Sequence, residues 1–230
     1  MTDPQPAGRP PSSDLVDVRL LDAIERGGCA ICAVRARSER ATLDAIIAER
    51  VLDLGFRAGL ERDHAFCRRH VAELIEADRR ASGILGSSIL YAAMLERRLA
   101  DLRDASGRHG RSRRARLDAV RRRPPCLVCQ QGAQAVGTAV GRFAERAADP
   151  SWATLLASIP FCLDDLAALA AAAGDDAAFR AVLAIQLDRL DALHQRLEGY
   201  AHHSAQDRRH LLTDDERAAA QEAAKVLGGG

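Results

Sequence analysis

Cysteine is the residue type in this sequence whose spacing points most directly to chemistry. The six cysteines form two CxxC pairs, each followed after a long gap by a single cysteine: Cys29 and Cys32, Cys67, Cys126 and Cys129, and Cys162. Two cysteines separated by two residues can place both sulfurs on one ion, with a Zn–S distance of about 2.3 Å. Three disulfides would also use six cysteines, but a chain of 230 residues rich in helix formers does not need them. The pattern therefore favours thiolate metal ligands in a reducing compartment.

Each single cysteine carries a further candidate ligand three residues later. The first predicted metal site combines a CxxC pair with the Cys–His pair that follows it: Cys29, Cys32, Cys67 and His70. The second combines the later CxxC pair with a Cys–Asp pair: Cys126, Cys129, Cys162 and Asp165. Both sets have the four ligands of a structural zinc site. The set with the aspartate carries one more negative charge, and the arginines at 121–123 are candidates to compensate it.

Zinc is the predicted metal, since histidine and aspartate are ordinary zinc ligands, and a 4Fe–4S cluster on the same cysteines is the alternative. Catalysis has little support, because catalytic zinc keeps a coordination position open and both predicted sets are full. A catalytic zinc would be possible only if water, and not Asp165, were the fourth ligand of the second site. The sequence also contains no glycine-rich phosphate loop, HExxH motif or nucleophile elbow.

The two halves of the chain repeat one another. The sequence LDAI at 21–24 precedes the first CxxC pair, and LDAV at 117–120 precedes the second. The CxxC motifs begin 97 residues apart, at 29 and 126, and the single cysteines lie 95 residues apart, at 67 and 162. A period near 96 is longer than that of solenoid repeats and indicates two like modules, each with its own site. The predicted organisation is a disordered tail at 1–13, a first metal-binding module at 14–105, an Arg-rich linker at 106–116, a second metal-binding module at 117–212, and a C-terminal helix and tail at 213–230.

The elements that must position these ligands are helices. Aromatic residues make up only 3% of the chain, and alanine, leucine, arginine and acidic residues dominate it. The predicted fold is all-α, a helical bundle of duplicated modules with the cysteine motifs at helix starts. With 33 basic and 32 acidic residues and no apolar run long enough to cross a bilayer, the protein is expected to be cytoplasmic and not to act at a membrane.

Arginine is concentrated between the two modules. Residues 108–123 include eight arginines and one aspartate, a local charge of +7. Such a block could bind a phosphate backbone, and the candidate nucleic-acid-binding residues are Arg111, Arg113, Arg114, Arg121, Arg122 and Arg123. The block has no interleaved aromatic residues to stack on bases. A solvated helix face, or an acidic protein partner, explains it equally well.

The tandem arrangement of CxxC, helical spacer and FCxxH resembles a bacterial family of uncharacterised, cysteine-rich helical proteins. The resemblance covers most of the chain from Leu20 onward, with Asp165 replacing the usual histidine of the second motif. It implies no activity. The function expected is that of a non-enzymatic metal-binding protein, with zinc as the cofactor and an interaction or regulatory role towards a protein partner. The alternatives are an iron–sulfur redox or sensor protein and a nucleic-acid-associated protein.

Overall fold

The computed structural model describes residues 14–81, 83–107, 112–121, 123–146, 149, 152, 155–156, 159–174 and 176–228. Its elements are helices, which we number in chain order: α1 Leu15–Glu25, α2 Ala30–Ala45 with a π-helical continuation Ile46–Arg50, α3 Leu54–Gly59, α4 Arg68–Ala81, α5 Leu85–Gly107, α6 Arg113–Arg121, α7 Leu127–Arg146, α8 Leu163–Ala172, α9 Asp176–His203, a 3-10 turn Arg209–Leu211, and α10 Asp214–Gly228. The predicted tail at 1–13 lies outside the described residues.

The all-α prediction is confirmed. Within the described ranges, extended pairing is limited to two isolated bridges, Leu60 with His64 and Ala65 with Cys126. None of the described helices is both long enough and apolar enough to cross a membrane. Both ends of α1 carry capping residues. Asp14 caps α1 by accepting hydrogen bonds from the backbone N–H groups of Val16 and Asp17, and Gly27 and Gly28, both at φ +77°, end it.

Contacts divide the chain into two compact units. The terminal unit consists of the residues up to Arg35 together with those from Ala135 onward, and the middle unit consists of Ala36–Gln134. The boundaries fall inside α2 and α7. These units do not coincide with the predicted modules at 14–105 and 117–212. Each unit instead combines a helix and CxxC motif from one repeat with the single-cysteine motif and long helices of the other.

The terminal unit has a core formed by α1, the first turn of α2, the later part of α7, and α8. Its largest buried side chains are Leu20, Ile31, Phe143, Trp152 and Ile159. A smaller cluster joins α9 to α10 through Leu193, Ala219, Ala223 and Val226. A capping box begins α10. The Thr213 N–H donates to Glu216 Oε2 at 2.9 Å, and the Glu216 N–H donates to Thr213 Oγ1 at 3.2 Å.

The middle unit has a separate core that lies between α2, α4 and α5. Leu43, Leu60, Phe66, Leu74 and Leu90 are buried in it, and Val128 of α7 completes it. Asp78 is buried on α4 and accepts hydrogen bonds from the Ser87 N–H at 2.6 Å and the Ser87 hydroxyl at 2.9 Å. This carboxylate caps the first turn of α5 and fixes the bend between α4 and α5.

A buried ion-pair cluster joins α1 to α7 in the terminal unit. Asp17 is fully buried, and its two carboxylate oxygens accept from Arg142, at 3.1 Å, and from Arg146. Arg142 also reaches Asp14 at 2.7 Å, and the Arg146 guanidinium lies 5.5 Å from the Trp152 ring centroid. Two cations therefore satisfy one buried anion, and removing that anion would take one ion pair from each of Arg142 and Arg146.

Substitution Asp17→Ala is expected to lower the free energy of unfolding by about 3 to 5 kcal/mol, as for other broken buried pairs. Urea denaturation followed by circular dichroism measures the loss. The control is Asp118→Ala, which removes an exposed aspartate on α6 and should change stability by less than about 0.5 kcal/mol. Equal effects of the two substitutions would contradict a stabilising role for the buried cluster.

Candidate metal centres

The four ligand motifs share one local structure. In each motif the first cysteine lies immediately before a helix and accepts the first intrahelical hydrogen bond, and the second candidate ligand lies in the first turn. The backbone bonds are Ala33 N to Cys29 O, Val71 N to Cys67 O, Gln130 N to Cys126 O and Leu166 N to Cys162 O, at 2.9 to 3.0 Å. The predicted placement of the motifs at helix starts is confirmed. Positions three residues apart at a helix N-terminus project to one side, so each motif presents two ligand atoms together.

The first cluster lies in the middle unit, and we call it the middle centre. It contains Cys67, His70, Cys126 and Cys129. His70 Nδ1 lies 3.3 Å from the sulfurs of Cys67 and Cys126 and 3.4 Å from that of Cys129. The sulfurs of Cys67 and Cys129 are 3.8 Å apart. His70 is fully buried, and the three cysteines are half-buried.

Two backbone hydrogen bonds bring the halves of the middle centre together. The Ala65 N–H donates to Pro125 O at 3.2 Å, and the Leu127 N–H donates to Ala65 O at 3.0 Å. They align the segment before Cys67 with the segment around Cys126, as in one rung of a β-ladder. Phe66, next to Cys67, is buried in the core of the unit. The N-termini of α4 and α7 are therefore fixed face to face by backbone bonds and by apolar packing.

The second cluster lies in the terminal unit, and we call it the terminal centre. It contains Cys29, Cys32, Cys162 and Asp165. Asp165 Oδ2 lies 3.0 to 3.1 Å from all three sulfurs, and the sulfur of Cys162 is 4.0 Å from that of Cys29 and 3.7 Å from that of Cys32. Cys32, Cys162 and Asp165 are buried, and Cys29 is half-buried.

A glutamine holds the chain segment that leads into Cys162. Gln186 is buried on α9, donates to Ile159 O at 2.8 Å and accepts from the Phe161 N–H at 3.5 Å. Phe161 in turn contacts Phe143 of α7 edge to face, with ring centroids 5.6 Å apart. Gln186 thus positions the α8 N-terminus, and the sequence gives no sign of this role because an isolated glutamine in a helix is usually exposed.

The grouping of ligands differs from the predicted one. We expected Cys29 and Cys32 to join Cys67 and His70, and Cys126 and Cys129 to join Cys162 and Asp165. The structure groups each CxxC pair with the single-cysteine motif of the other repeat. The four residues of each centre also fall within one compact unit.

Chain geometry explains the exchange. Helix α2 with its π-helical continuation runs for 21 residues, from Ala30 to Arg50, and carries the chain about 31 Å forward. The return segment includes the six-residue helix α3, Leu54–Gly59. These six residues advance the chain by only about 9 Å. The Cys–His motif meets α2 at Glu39, seven residues beyond Cys32 and about 10 Å further along the helix. The return therefore ends short of the CxxC pair from which the helix began.

Both clusters have the dimensions of a single tetrahedral ion site. Thiolates bound at about 2.3 Å to a tetrahedral zinc ion are separated by about 3.8 Å. Three sulfur pairs, Cys29–Cys162, Cys32–Cys162 and Cys67–Cys129, are 3.7 to 4.0 Å apart, and all ligand atoms of each cluster lie within 4.8 Å of one another. A nitrogen or oxygen ligand would lie about 3.6 Å from each sulfur, against 3.3 to 3.4 Å at His70 and 3.0 to 3.1 Å at Asp165. All six cysteines are free thiols. Each cluster could therefore hold one metal ion.

The imidazole of His70 is oriented by acidic groups on its far side. Its Nε2 lies 3.5 Å from Glu39 Oε2 and 3.7 Å from Glu73 Oε2, so Nδ1 faces the sulfurs. Glu39 is buried and is also bound by Arg69 at 2.8 Å. Gly132 allows this approach, since a Cβ there would lie 2.7 Å from Glu39 Oε1. A carboxylate behind a ligating histidine fixes the ring and raises its basicity.

The carboxylate of Asp165 has a cationic neighbour instead. The Arg35 guanidinium lies 3.6 Å from Asp165 Oδ1, while Oδ2 faces the sulfurs. Arg35 is on α2, three residues after Cys32. The expectation that the arginines at 121–123 compensate the charge of the aspartate site fails, because they precede Cys126, which belongs to the middle centre. The extra negative charge of the terminal centre is thus partly balanced by an arginine from the same helix as two of its ligands.

Burial raises the pKa of three of the thiols, Cys29, Cys129 and Cys162. Burial raises the pKa of Cys129 to about 12, and the sulfurs of Cys126 and Cys67 add to the rise. Burial raises the pKa of Cys162 to about 11, with a contribution from the Asp165 carboxylate, and also raises the pKa of Cys29. Burial acts on Cys67 in the same sense, but hydrogen bonds from the His70 backbone and the neighbouring thiols outweigh it and lower the pKa of Cys67.

The candidate nucleic-acid residues do not form part of either centre. Arg113, Arg114 and Arg121 lie on α6 and are exposed, as is Arg123 after it, whereas Arg111 and Arg122 lie outside the described residues. Nucleic-acid binding by this block stays a prediction. The structure also identifies three residues that sequence reasoning missed: Glu39, Arg35 and Gln186. Their roles depend on which helices meet, and no short-range motif signals them.

The family of the chain follows from its match to a family model over residues 12–180, which include both CxxC pairs, Cys67, His70, Cys162 and Asp165. The chain belongs to DUF6062, a family of unknown function. The resemblance stated from the motifs is thereby confirmed. Helix α10 and the later part of α9 lie beyond the match. No curated protein and no solved structure matches the chain, so the function must be inferred from the DUF6062 fold and its two centres.

The exchanged grouping predicts metal contents that distinguish it from grouping within each repeat. The double variant Cys67→Ser with Cys126→Ser alters one centre only and should retain one of two ions per chain. The double variant Cys29→Ser with Cys67→Ser alters both centres and should retain none. If the ligands instead group within each repeat, the first double variant should retain no ion and the second should retain one. Elemental analysis of purified protein decides between them, with the three single variants, each expected to keep one ion, as controls.

Substitution Glu39→Ala is expected to weaken metal binding at the middle centre by about 10-fold or more, because the His70 ring loses the nearest carboxylate on its far side. The measurement is chelator competition in a Cys29→Ser background, so that only the middle centre binds. The same substitution in a Cys67→Ser background should leave the affinity of the terminal centre unchanged. A matched control, Glu49→Ala, removes an exposed glutamate from the same helical run. Equal weakening at both centres would contradict the proposed role of Glu39.

Proposed function

We propose that this DUF6062 protein is a non-enzymatic zinc protein, in which two ions hold helix N-termini together and present a helical surface for an interaction or regulatory role. The observation that carries the proposal is the convergence of four ligand atoms within 4.8 Å of one another in each of two clusters. Three thiolates with one histidine or one aspartate form ordinary zinc sets. The residues proposed as ligands are Cys67, His70, Cys126 and Cys129 in the middle centre, and Cys29, Cys32, Cys162 and Asp165 in the terminal centre.

The distances favour one ion over an iron–sulfur cluster. In a 4Fe–4S cluster each iron takes its own terminal ligand, so the cysteine sulfurs surround the whole cluster and lie well apart. Here three sulfur pairs between motifs lie at 3.7 to 4.0 Å, close to the edge of a tetrahedron around a single ion, and all four ligand atoms of each cluster lie within 4.8 Å of one another. The imidazole and carboxylate ligands also favour zinc, because they are common on zinc and rare on such clusters.

A structural role fits the position of the ligands better than a catalytic one. Each cluster offers four protein ligands, which fill a tetrahedral zinc ion, whereas catalytic zinc keeps a position for water or substrate. Each ion would also connect segments far apart in the chain, 56 to 62 residues in the middle centre and 130 to 136 in the terminal centre. Metal binding that closes such long loops contributes directly to folding, by about 10 to 16 kcal/mol of apparent binding energy in small zinc domains.

Protein purified without oxygen is expected to contain two zinc ions per chain and to lack the brown colour of an iron–sulfur cluster. Removal of the ions with a chelator should lower the melting temperature strongly, since each ion replaces many weaker contacts, and added zinc should restore it. The variant Cys67→Ser should also melt at a lower temperature, whereas Arg123→Ala, at an exposed position, should melt like the wild type. A brown, iron-containing protein, or one whose melting temperature does not change when the chelator is added, would refute the proposal.

A further inference from the structure

Helix α5 carries a line of leucines on its outer face that nothing in the described chain covers. Leu95, Leu99 and Leu102 are 62%, 47% and 49% exposed. Single exposed leucines are common on protein surfaces, but three at spacings of four and three residues form one stripe along a helix. The opposite face of α5 is the packed one, with Leu90 fully buried and Met94 against the core of the middle unit.

The stripe extends in both directions with small residues. The same alternation of four and three residues continues to Ala92 and Ser88 on one side and to Ser106 on the other, and all three are exposed. From 88 to 106 this seam covers about 27 Å of helix. A hydrophobic repeat of 3.5 residues is the pattern by which one helix packs along another.

Charge completes the pattern beside the seam. Glu96 and Arg103 are exposed on the same flank of the seam. Glu96 lies about one turn before Leu99, the central leucine, and Arg103 lies about one turn after it. Neither forms an ion pair with any residue that the structure describes. Other charges of α5 are paired within the chain: Arg97 binds Asp101 at 3.3 Å, and Arg98 binds Glu61 at 2.7 Å. The flank therefore carries one unpaired charge of each sign.

We propose that α5 is a self-association surface, on which the α5 helix of a second copy packs in the antiparallel direction. In this arrangement Leu99 of each copy packs beside Leu102 of the other, and Glu96 of each copy faces Arg103 of the other. The charges thus match twice across the two-fold axis. A parallel arrangement instead places the two flanks on opposite sides of the seam, so that Glu96 of one copy does not meet Arg103 of the other.

The contact is confined to one helix from each copy, which places it at the lower end of specific interfaces. The dimer is therefore concentration-dependent. Analytical ultracentrifugation of the full-length, zinc-loaded protein over a wide concentration range should show a monomer–dimer equilibrium. Leu99→Lys should abolish the dimer. The matched control Leu187→Lys, which changes a leucine of α9 with 59% exposure, should not. A protein that stays monomeric at all concentrations, or equal effects of the two variants, would overturn the proposal.

A charge exchange tests the antiparallel direction. Glu96→Arg and Arg103→Glu should each weaken the dimer at least several-fold, because each places like charges opposite one another twice. The double variant Glu96→Arg with Arg103→Glu restores the match and should dimerise like the wild type. Circular dichroism and zinc content should be unchanged in all three, which separates loss of the dimer from loss of the fold. A double variant weaker than both single variants would refute the antiparallel pairing.

Discussion

The convergence of two helix N-termini on each ligand cluster is the constraint on which the rest of the structure depends. A helix N-terminus carries unsatisfied N–H groups and the positive end of the helix dipole, so it favours thiolates and carboxylates close by. Without anionic groups between them, two such ends would repel each other. In the middle centre the paired helices are α4 and α7, and in the terminal centre they are α2 and α8. The cores of the two units lie around these junctions.

The exchange of motifs between repeats follows from the length of the helices that begin at the CxxC pairs. A straight helix carries the chain away from its own start, and only a long extended segment could bring it back. The return segment of the first repeat contains helix α3 and a turn closed by the Leu60–His64 bridge, so it advances much less than an extended segment of the same length. The ligands needed to complete each cluster therefore come from the other repeat. A duplicated sequence thus builds two centres, each of which needs both copies of the repeat.

The two centres differ in the charges that surround them, although their sequence motifs are nearly the same. Histidine in the middle centre is a neutral ligand, and acidic side chains stand behind it. Aspartate in the terminal centre is an anionic ligand, and an arginine stands behind it. The acidic groups make the surroundings of the middle centre more negative, and the arginine makes those of the terminal centre less negative. The replacement of histidine by Asp165 is therefore accompanied by a cationic neighbour that offsets its charge.

The sequence by itself determined the helical fold, the helix ends, the duplication and the identity of all eight clustered residues, because these depend on local propensity and on spacings of three residues. Only the tertiary structure decided which motifs meet, since the ligand types of the two repeats are nearly equivalent and either grouping supplies four ligands. That choice depends on where a helix of some twenty residues ends and how far the chain can return. The tertiary structure also decided the roles of Glu39, Arg35 and Gln186, because these roles exist only where helices distant in sequence are in contact.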